Sequence, residues 1–469
     1  VEIALMEGHG HTMSRWTPDN LKGKTVTVVG LGQSGLASAR FCRAAGAIVT
    51  VSEAGDANGF EKEIRQLEPA GVALEFGPHR PATFETADLV VLSPGVPHTL
   101  APLEAARRLG IPVVGEMELA SRFIAEPIVA VTGTNGKTTT TELIGAMLEA
   151  SGMAVFVGGN IGNPLIEYVE SGKPADWLVV EVSSFQLDTM DEFHPRIGCL
   201  LNISEDHLDR YPGFTAYAAV KWRLFRHQSA DDTAILNGTL NAAGAPNRPL
   251  PGRTLFFNGA PPGRQPSARR RDGVLELDMG PRATGMALDL SAMSLIGRHN
   301  EENVAAAGLA ALAAGAAPTA IQSALDAYRG KPHRVFFVRE VQGVRYYDDS
   351  KGTNVDAVAR ALDSFHQPVV LIMGGRDKGG SYQAIEARLP DKVRQVIVMG
   401  EAAETITRAL QHIVPIQSVT DMGAAVRLAA ETARPGEVVL LSPACASYDM
   451  YANYRQRGED FCRHVQQLA

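Results

Sequence analysis

The chain has 469 residues, more than one ordinary hydrophobic core accommodates, so we expect about three domains. Hydrophobic residues make up 45% and charged residues 20%, as in a globular protein, and the formal net charge of −8 argues against a general nucleic-acid-binding protein, which is usually basic. The four cysteines form no C-x-x-C pair, so they predict neither a zinc ribbon nor a disulfide framework, and a reduced cytoplasmic setting fits best.

Two stretches bear on targeting and membranes. Residues 1–19 have no basic start followed by an apolar core, so we expect an N-terminal extension rather than a secretory signal. The uncharged segment Val304–Ile321 is mostly Ala and Gly and contains Pro318, which favours a packed helix over a membrane span. We therefore expect no association with a membrane.

Strand and helix patterns alternate along the chain, which is typical of an α/β protein with parallel sheets. In residues 20–123 the pattern predicts a strand, a glycine turn, a helix and a strand over Lys24–Glu53, then a strand ending in "LSPGVP". The segment "IAEP" would join this domain to a second one, residues 124–329, in which Arg269–Arg271 is expected in a solvated loop. A junction near "AYRGKPHRV" would open a third domain, residues 330–469, with three further strands.

The first glycine turn matches G-x-G-x-x-G over Gly30–Gly35, between a strand and a helix. Glu53 ends the next strand, about where a dinucleotide-binding domain places a ribose-binding acid. The pattern indicates a diphosphate site but does not identify the nucleotide. An NAD-dependent dehydrogenase therefore stays open at this point.

The second turn, in "VAVTGTNGKTTTTEL", is a shortened phosphate loop over Gly133–Thr138. The usual loop has Gly five residues before the Gly-Lys pair, where this chain has Val131. The physical function survives, because glycines turn backbone N–H groups towards an anion and the following helix adds positive potential. Lys137 can bridge the terminal phosphates and the Thr138 hydroxyl can bind Mg²⁺.

Further strings of unusual sequence occur between these loops and the chain end. They are "GGNIGNPL" (158–165), "EVSSFQL" (181–187), "NISEDHLDRY" (202–211), "GRHNEENVAAA" (297–307), "KPHRV" (331–335), "DDSKGTN" (348–354) and "LLSPACASYD" (440–449). With "GTNGKTT", their order and content resemble those of the peptidoglycan Mur ligases over about residues 20–465. The strings "DDSKGTN" and "SPACAS" resemble those of the members that add D-glutamate.

The resemblance implies an α/β protein of three domains: a Rossmann-like UDP-binding domain, a central P-loop ATPase-like domain, and a C-terminal Rossmann-like domain that binds the amino acid. It also implies one reaction. ATP would phosphorylate the carboxylate of UDP-N-acetylmuramoyl-L-alanine, and the amine of D-glutamate would attack the acyl phosphate. These small molecules would be the partners of a monomer whose active site lies between domains.

The resemblance also implies roles for individual residues. Those at the UDP-sugar are Gly32, Gln33, Ser34, Gly35, Glu53, Ser93, Pro94, Gly95, Asn160, Ser183 and Gln186. Those at ATP are Gly133, Thr134, Asn135, Gly136, Lys137, Thr138, Thr139, Asn300, Asn303 and Arg334. Those at D-glutamate are Lys351, Ser447 and Tyr454.

Cations are needed because the γ-phosphate and the substrate carboxylate repel each other. The resemblance implies two Mg²⁺ ions with ligands among Thr138, Glu181, His207 and Lys221, and catalytic roles for Lys137, Glu181, His207 and Lys221. Apolar and aromatic neighbours in "AYAAVKWRLF" predict a helix with Lys221 partly buried, and burial favours a neutral amine, which reacts with CO₂. The resemblance implies that Lys221 carries this carbamate.

Three alternatives remain open on the sequence alone. One is a sister ligase, or a folylpolyglutamate-type synthetase, that uses another amino acid. Another is the NAD-dependent dehydrogenase, with an incidental phosphate loop. The third is a nucleotide-driven switch without ligase chemistry.

Overall fold

A computed structural model describes residues 17–208, 210–241, 243–280, 285–379 and 381–469. The contacts divide the chain into two compact units: the residues up to Ile128 with Phe156–Pro195, and Val129–Val155 with Arg196–Ala469. The expected N-terminal extension lies, up to Trp16, outside the described residues. The domain boundaries at residues 19, 123 and 329 stay a prediction.

The strands are short and mostly rich in β-branched residues. They are β1 (Thr25–Val29), β2 (Ile48–Glu53), β3 (Ala73–Phe76), β4 (Leu89–Leu92), β5 (Val113–Gly115), β6 (Ile128–Thr132), β7 (Val155–Gly159), β8 (Trp177–Glu181), β9 (Ile197–Leu200), β10 (Thr233–Asn237), β11 (Arg253–Phe257), β12 (Ala268–Arg271), β13 (Val274–Leu277), β14 (Met286–Asp289), β15 (Phe336–Val341), β16 (Val344–Asp348), β17 (Val369–Gly374), β18 (Val393–Met399), β19 (Ile416–Ser418) and β20 (Val438–Leu441).

Along the chain, the helices lie between these strands, and the last helix follows the last strand. They are α1 (Gln33–Ala44), α2 (Glu61–Leu67), α3 (Pro81–Glu85), α4 (Ala101–Arg108), α5 (Glu116–Ser121), α6 (Lys137–Ala150), α7 (Leu165–Ser171), α8 (Ser184–Leu187), α9 (Phe214–Trp222), α10 (Arg298–Ala313), α11 (Pro318–Ala327), α12 (Val355–Leu362), α13 (Gln383–Glu386), α14 (Leu389–Lys392), α15 (Ala403–Leu410), α16 (Met422–Thr432) and α17 (Tyr454–Gln466).

The first unit contains a parallel sheet of order β3-β2-β1-β4-β5. Strands β1 and β4 are buried almost throughout, which explains their continuous apolar sequences "TVTVV" and "LVVL". The strand order reverses between β1 and β4, so the loops that follow these two strands open a crevice at the carboxyl ends. Gly30 and Ser93 lie in those loops.

Two buried carboxylates of α5 bind segment 156–195 to the rest of the first unit. Glu116 accepts a hydrogen bond from the backbone N–H of Ile166, at the start of α7, over 2.7 Å. Glu118 forms an ion pair with Arg122 and accepts the backbone N–H groups of residues 191–193. These interactions satisfy donors that would otherwise be buried without partners.

The second unit begins with the parallel strands β11-β10-β9-β6, flanked by α6 and α10, and continues with an antiparallel sheet of order β12-β13-β14. The expectation of a loop at Arg269–Arg271 is wrong. These arginines lie in β12 and pair with β13 while their side chains face solvent, and Arg270 forms an ion pair with Glu301 over 3.1 Å. A solvated edge strand and a loop have similar compositions, so the sequence did not separate them.

The uncharged stretch Val304–Ile321 was expected to form one helix, but it is divided between two. Helix α10 ends at Ala313 and α11 begins at Pro318, because proline fits the first turn of a helix but not its interior. Among the described residues, no helix is both long and apolar enough to cross a membrane.

The C-terminal part of the second unit is a sheet of order β15-β16-β20-β17-β18-β19, parallel except for the β15–β16 pair. Successive residues of β17 enter opposite cores: Leu371 and Met373 pack on one face, and Val370 and Ile372 on the other. Strands β16, β20 and β17 are neighbours, so the loops that follow them gather at one edge of the sheet. We call this the carboxyl edge of the C-terminal sheet.

Candidate active site

A cavity of about 540 Å³ opens at the strand-order reversal of the first unit. Of the residues predicted at the UDP-sugar, its lining includes Gly32, Gln33, Ser34, Glu53, Ser93, Pro94 and Gly95. The Ser93 hydroxyl donates to Gly30 O over 2.9 Å, which connects the loops after β1 and β4. The structure therefore gathers these residues around one space of the size that a nucleotide needs.

Glu53 and Gly35 shape this cavity through the backbone. The Glu53 carboxylate accepts the N–H group of Leu31, in the glycine turn, over 2.8 Å and that of Gly55, in the loop after β2, over 2.9 Å, so it connects the two loops. A Cβ atom on Gly35 would lie 1.9 Å from Gly30 O, so only glycine allows α1 to start this close to β1. The predicted residue Gly35 thus supports the turn rather than lining the cavity.

The other predicted residues of the first unit cluster at the end of β8. Asn160 donates to the Glu181 carboxylate over 2.6 Å, and Glu181 is almost completely buried. Ser183 and Gln186 form a capping box at the start of α8, in which Gln186 Oε1 accepts from Ser183 N. The structure therefore pairs Asn160 with Glu181, whereas the side-chain oxygen of Gln186 bonds to its own helix start.

The phosphate loop, Gly133–Thr138, joins β6 to α6 in the second unit. Gly136 has φ +86°, and a Cβ atom there would lie 2.2 Å from Asn303 Oδ1, which explains glycine at this position. Asn202 braces the loop by accepting from Asn135 N over 2.8 Å and donating to Asn135 O over 3.0 Å. The loop is thus fixed before any anion binds, which lowers the entropic cost of binding.

Two lysine ammonium groups meet at one carbonyl of this loop. Lys137 Nζ donates to Gly133 O and Thr134 O, and Lys221 Nζ donates to Gly133 O, all over 2.9 Å. Lys221 is only 1% exposed, and its Nζ lies 4.7 Å from the centre of the Tyr217 ring. Lys221 was expected to be partly buried, and the structure shows that it is almost completely buried. Burial also raises the pKa of Tyr217, which keeps that neighbour neutral.

The predicted metal ligands of the second unit do not form a protein cage. Arg334 Nη2 donates to Thr138 Oγ1 over 2.5 Å. His207 has a left-handed backbone, with φ +56°, and its Nε2 lies 3.7 Å from Asp206 Oδ2. No group of three or more His, Cys, Asp or Glu residues within the described ranges has a metal-binding arrangement. This donor set fits Mg²⁺ that is held mainly by phosphate oxygens and water.

A narrow cavity of about 80 Å³ adjoins the phosphate loop. Its lining contains many of the predicted ATP residues, together with residues of the loop after β16: Asn135, Gly136, Thr139, Asn300, Asn303, Arg334, Asp349 and Lys351. Asn303 donates to Asn300, which donates to Ile296 O, so both amides are held on α10. Burial raises the pKa of Asp349 to about 7, which weakens its negative charge beside an anionic ligand.

The predicted D-glutamate residues lie at or near the carboxyl edge of the C-terminal sheet. Lys351 Nζ lies 4.1 Å from the centre of the Tyr454 ring, a cation–π distance. Ser447 is buried in the loop after β20. Lys351 also lines the cavity beside the phosphate loop.

The sequence reasoning missed a polar cluster that joins the central strands to the C-terminal sheet. Asp206 Oδ1 lies 3.5 Å from Lys378 Nζ, and Asp206 Oδ2 accepts from Asn354 over 3.1 Å. Burial opposes ionisation of Asp206, but Lys378, His207 and Asn354 outweigh it and hold the pKa of Asp206 below its usual value. Asn135 of the phosphate loop donates to Asp356 over 2.9 Å. The available signal was "GGRDKGG", which places a lysine four residues after the end of β17.

Three family descriptions match the chain. They are "Mur ligase MurD-like, N-terminal domain" over residues 24–115, "Mur ligase middle domain" over residues 131–311 and "Mur ligase, glutamate ligase domain" over residues 333–445. These matches confirm the predicted three-domain α/β fold class.

Individual proteins agree with the family matches. A UDP-N-acetylmuramoylalanine–D-glutamate ligase of Desulfatibacillum aliphaticivorans is 50% identical over 449 residues, which are 96% of this chain and 99% of that protein. One of Desulfosudis oleivorans is 47% identical over 451 residues, covering 96% and 98%. The structure of a pseudomurein peptide ligase type C from Methanothermus fervidus has a TM-score of 0.60, covers 95% of this chain and 100% of its own, and at 16% identity supports the fold alone.

Proposed function

Because the chain belongs to the Mur ligase family, we infer that it is an ATP-dependent ligase that joins D-glutamate to UDP-N-acetylmuramoyl-L-alanine in peptidoglycan synthesis. The inference is supported by sequence identity, over nearly the full length of the chain, to relatives that are named for this activity. The hydride chemistry of the dehydrogenase alternative is not needed, and Glu53 need not bind a ribose, since its carboxylate already accepts the N–H groups of Leu31 and Gly55.

The reaction has two chemical steps. The substrate carboxylate attacks the γ-phosphorus of ATP, which gives an acyl phosphate and ADP. The amine of D-glutamate then attacks the acyl carbon, an amide bond forms, phosphate leaves and the amine gives up a proton. Both steps bring anionic groups together, so the protein must supply positive charge and fixed donors.

The phosphate loop supplies these donors for ATP. Its backbone N–H groups and the start of α6 would face the phosphates, and Lys137 would move its three donors from Gly133 O and Thr134 O to phosphate oxygens. Asn300 and Asn303 would face the base, and Arg334 would add a cation beside Thr138. Bound Mg²⁺ would neutralise phosphate charge, with Thr138, Glu181, His207 and Lys221 as its proposed protein contacts.

Lys221 has two features that support the carbamate proposal. Its side chain is buried, which is costly for an ammonium group, and its Nζ donates to the neutral carbonyl of Gly133. Reaction of the neutral amine with CO₂ forms an N–C bond and releases one proton. It turns a buried cation into an oxygen ligand of the kind that Mg²⁺ prefers.

The remaining roles concern the other substrates. We propose that the cavity of the first unit holds the UDP diphosphate, and that Asn160 and Gln186 orient the muramoyl-alanine part. Lys351, Ser447 and Tyr454 would hold D-glutamate, with Lys351 facing its side-chain carboxylate. We also propose that the protein works as a monomer in the cytoplasm. A reducing compartment that supplies ATP is consistent with its four free cysteines and with the use of ATP as a substrate.

Phosphate release tests the proposed function directly. We expect release only when ATP, UDP-N-acetylmuramoyl-L-alanine and D-glutamate are all present. Release with L-glutamate or diaminopimelate but not with D-glutamate would instead identify a sister activity. ATP hydrolysis that does not depend on the UDP-linked substrate would indicate a nucleotide switch.

A further inference from the structure

Arg457, on α17, is a buried arginine that donates hydrogen bonds to residues of several loops instead of forming an ion pair. It is 2% exposed, and no carboxylate of the described chain lies within ion-pair distance of its guanidinium group. The group makes five hydrogen bonds instead. Nε donates to Ser350 Oγ over 3.0 Å, Nη1 to Gly374 O and Ala446 O over 3.2 and 3.3 Å, and Nη2 to Ser350 O and Cys445 O over 2.9 and 3.0 Å.

These five bonds equal the number of N–H donors that an arginine has. A guanidinium group presents these donors in a fixed planar fork, which a lysine cannot reproduce because its ammonium group has three donors in a tetrahedral arrangement. Burial lowers the pKa of Arg457 to about 10, so the group is still protonated at neutral pH. Four backbone carbonyls and the Ser350 hydroxyl accept its donors, and the charges of Asp449 and Asp348 also favour the protonated form.

The acceptors belong to the three loops at the carboxyl edge of the C-terminal sheet. Ser350 follows β16 and precedes Lys351, Gly374 ends β17, and Cys445 and Ala446 follow β20 and precede Ser447. Backbone bonds join these loops in pairs, between Arg376 and Ala446 and from Ala444 N to Gly352 O. The guanidinium group adds a single point at which all three loops are connected.

The same helix also constrains Lys351 from its other side. Tyr454, one turn before Arg457 on α17, accepts the Ser350 hydroxyl at its carbonyl over 2.7 Å and presents its ring to Lys351 Nζ. Ser350 therefore bonds to both Tyr454 and Arg457. A shift of the guanidinium group would move Lys351 relative to the ring and to the loop that carries Ser447.

We propose that Arg457 is a positioning residue that holds the loops after β16, β17 and β20 in one arrangement, so that Lys351 and Ser447 bind the amino-acid substrate together. The proposal rests on the proposed function for the identity of that substrate. Arg457 itself does not touch the reacting atoms. Its loss is expected to weaken amino-acid binding, because misplacement of a binding group by about 1 Å costs up to about 100-fold.

Steady-state kinetics of Arg457→Lys test the proposal. We expect KM for D-glutamate to rise by about 10- to 100-fold, while KM for the UDP-linked substrate changes by less than about twofold, because its cavity is lined by the first unit. Arg394→Lys is the matched control. Arg394 lies in the same domain, is bound by the Glu437 carboxylate near the amino ends of β18 and β20, and should leave both KM values unchanged.

Chemical rescue separates positioning from general stability. In Arg457→Ala, added guanidinium at a concentration too low to denature should lower KM for D-glutamate again, whereas ammonium should not. Folding of each variant is checked by thermal unfolding, and Arg457→Lys is the milder change if the alanine variant does not fold.

Two results would overturn the proposal. One is a normal KM for D-glutamate in Arg457→Lys. The other is an equal rise in both KM values without rescue, which is the mark of a structural role. If the wild-type protein uses another amino acid, the proposed function fails, but the same comparison made with that amino acid still tests Arg457.

Discussion

Replacing Glu116 by glutamine should make the protein more stable at alkaline pH. Glu116 Oε1 accepts the N–H of Ile166, whereas Oε2 has no hydrogen-bond partner among the described residues. Burial is the largest influence and raises the pKa of this carboxyl group from its ordinary value of 4.5 to about 7. An ionised Glu116 is therefore a buried charge that the backbone N–H groups of Ile166 and Leu165 compensate only in part.

The pKa shift gives both the sign and the size of the effect. Between about pH 4.5 and pH 7 the folded protein retains a proton that the unfolded chain releases, so the free energy of unfolding falls as pH rises through this window. A shift of this size corresponds to about 3 kcal/mol, and the loss is complete above about pH 7. Glutamine has no charge to bury, so Glu116→Gln should gain up to about 3 kcal/mol over the wild type at about pH 8.5 and almost nothing at about pH 5.

Thermal unfolding measured across this pH range checks the prediction. The control is Glu118→Gln, two residues along α5. Glu118 pairs with Arg122 and accepts three backbone N–H groups, so its loss should cost about 3–5 kcal/mol at every pH tested. A difference between Glu116→Gln and the wild type that does not vary with pH, or a lower midpoint for the variant at about pH 8.5, would refute the reasoning.

Three further predictions concern the proposed active site. Lys137→Ala should abolish formation of the acyl phosphate and spare binding of the UDP-linked substrate, measured by calorimetry, because the loop and the UDP cavity lie in different units; retained turnover would exclude the role of Lys137. Lys351→Ala should raise KM for D-glutamate far more than KM for ATP, and equal effects on both would indicate a structural role. Lys221→Ala should lose nearly all activity, with part of it restored by formate. Full activity in that variant, or an unmodified ammonium group at Lys221 in a crystal structure of the active, metal-loaded protein, would exclude the carbamate.

Sequence patterns predicted the elements that depend on local chemistry. The unit "KTVTVVGLGQSGLASAR" forms a strand, a turn and a helix as predicted, because its apolar run, its glycines and its helix formers all act within a few residues. The phosphate loop forms between β6 and α6 for the same reason, whereas Asn300 and Asn303 of α10, which line the same cavity, were predicted beside it only from the resemblance to the Mur ligases. Lys221 was expected to be partly buried, and is completely so.

The parts that the sequence did not predict depend on contacts between distant segments. Lys378 meets Asp206 across 172 positions, and Arg457 reaches Ser350 across 107, and neither pairing leaves a periodic pattern. Side-chain direction was also missed. Gln186 looks like a free amide in the string "EVSSFQL", but the capping box uses its oxygen.

The central claim is that the substrate carboxylate is phosphorylated, and an isotope experiment tests it most directly. UDP-N-acetylmuramoyl-L-alanine is prepared with heavy oxygen in its carboxylate and incubated with the protein, ATP, Mg²⁺ and D-glutamate, and the released phosphate is analysed by mass spectrometry. An acyl phosphate predicts that each released phosphate carries one carboxylate oxygen, while the amide product keeps the other. Phosphate without the heavy isotope, in a reaction that still forms the amide, would contradict the account.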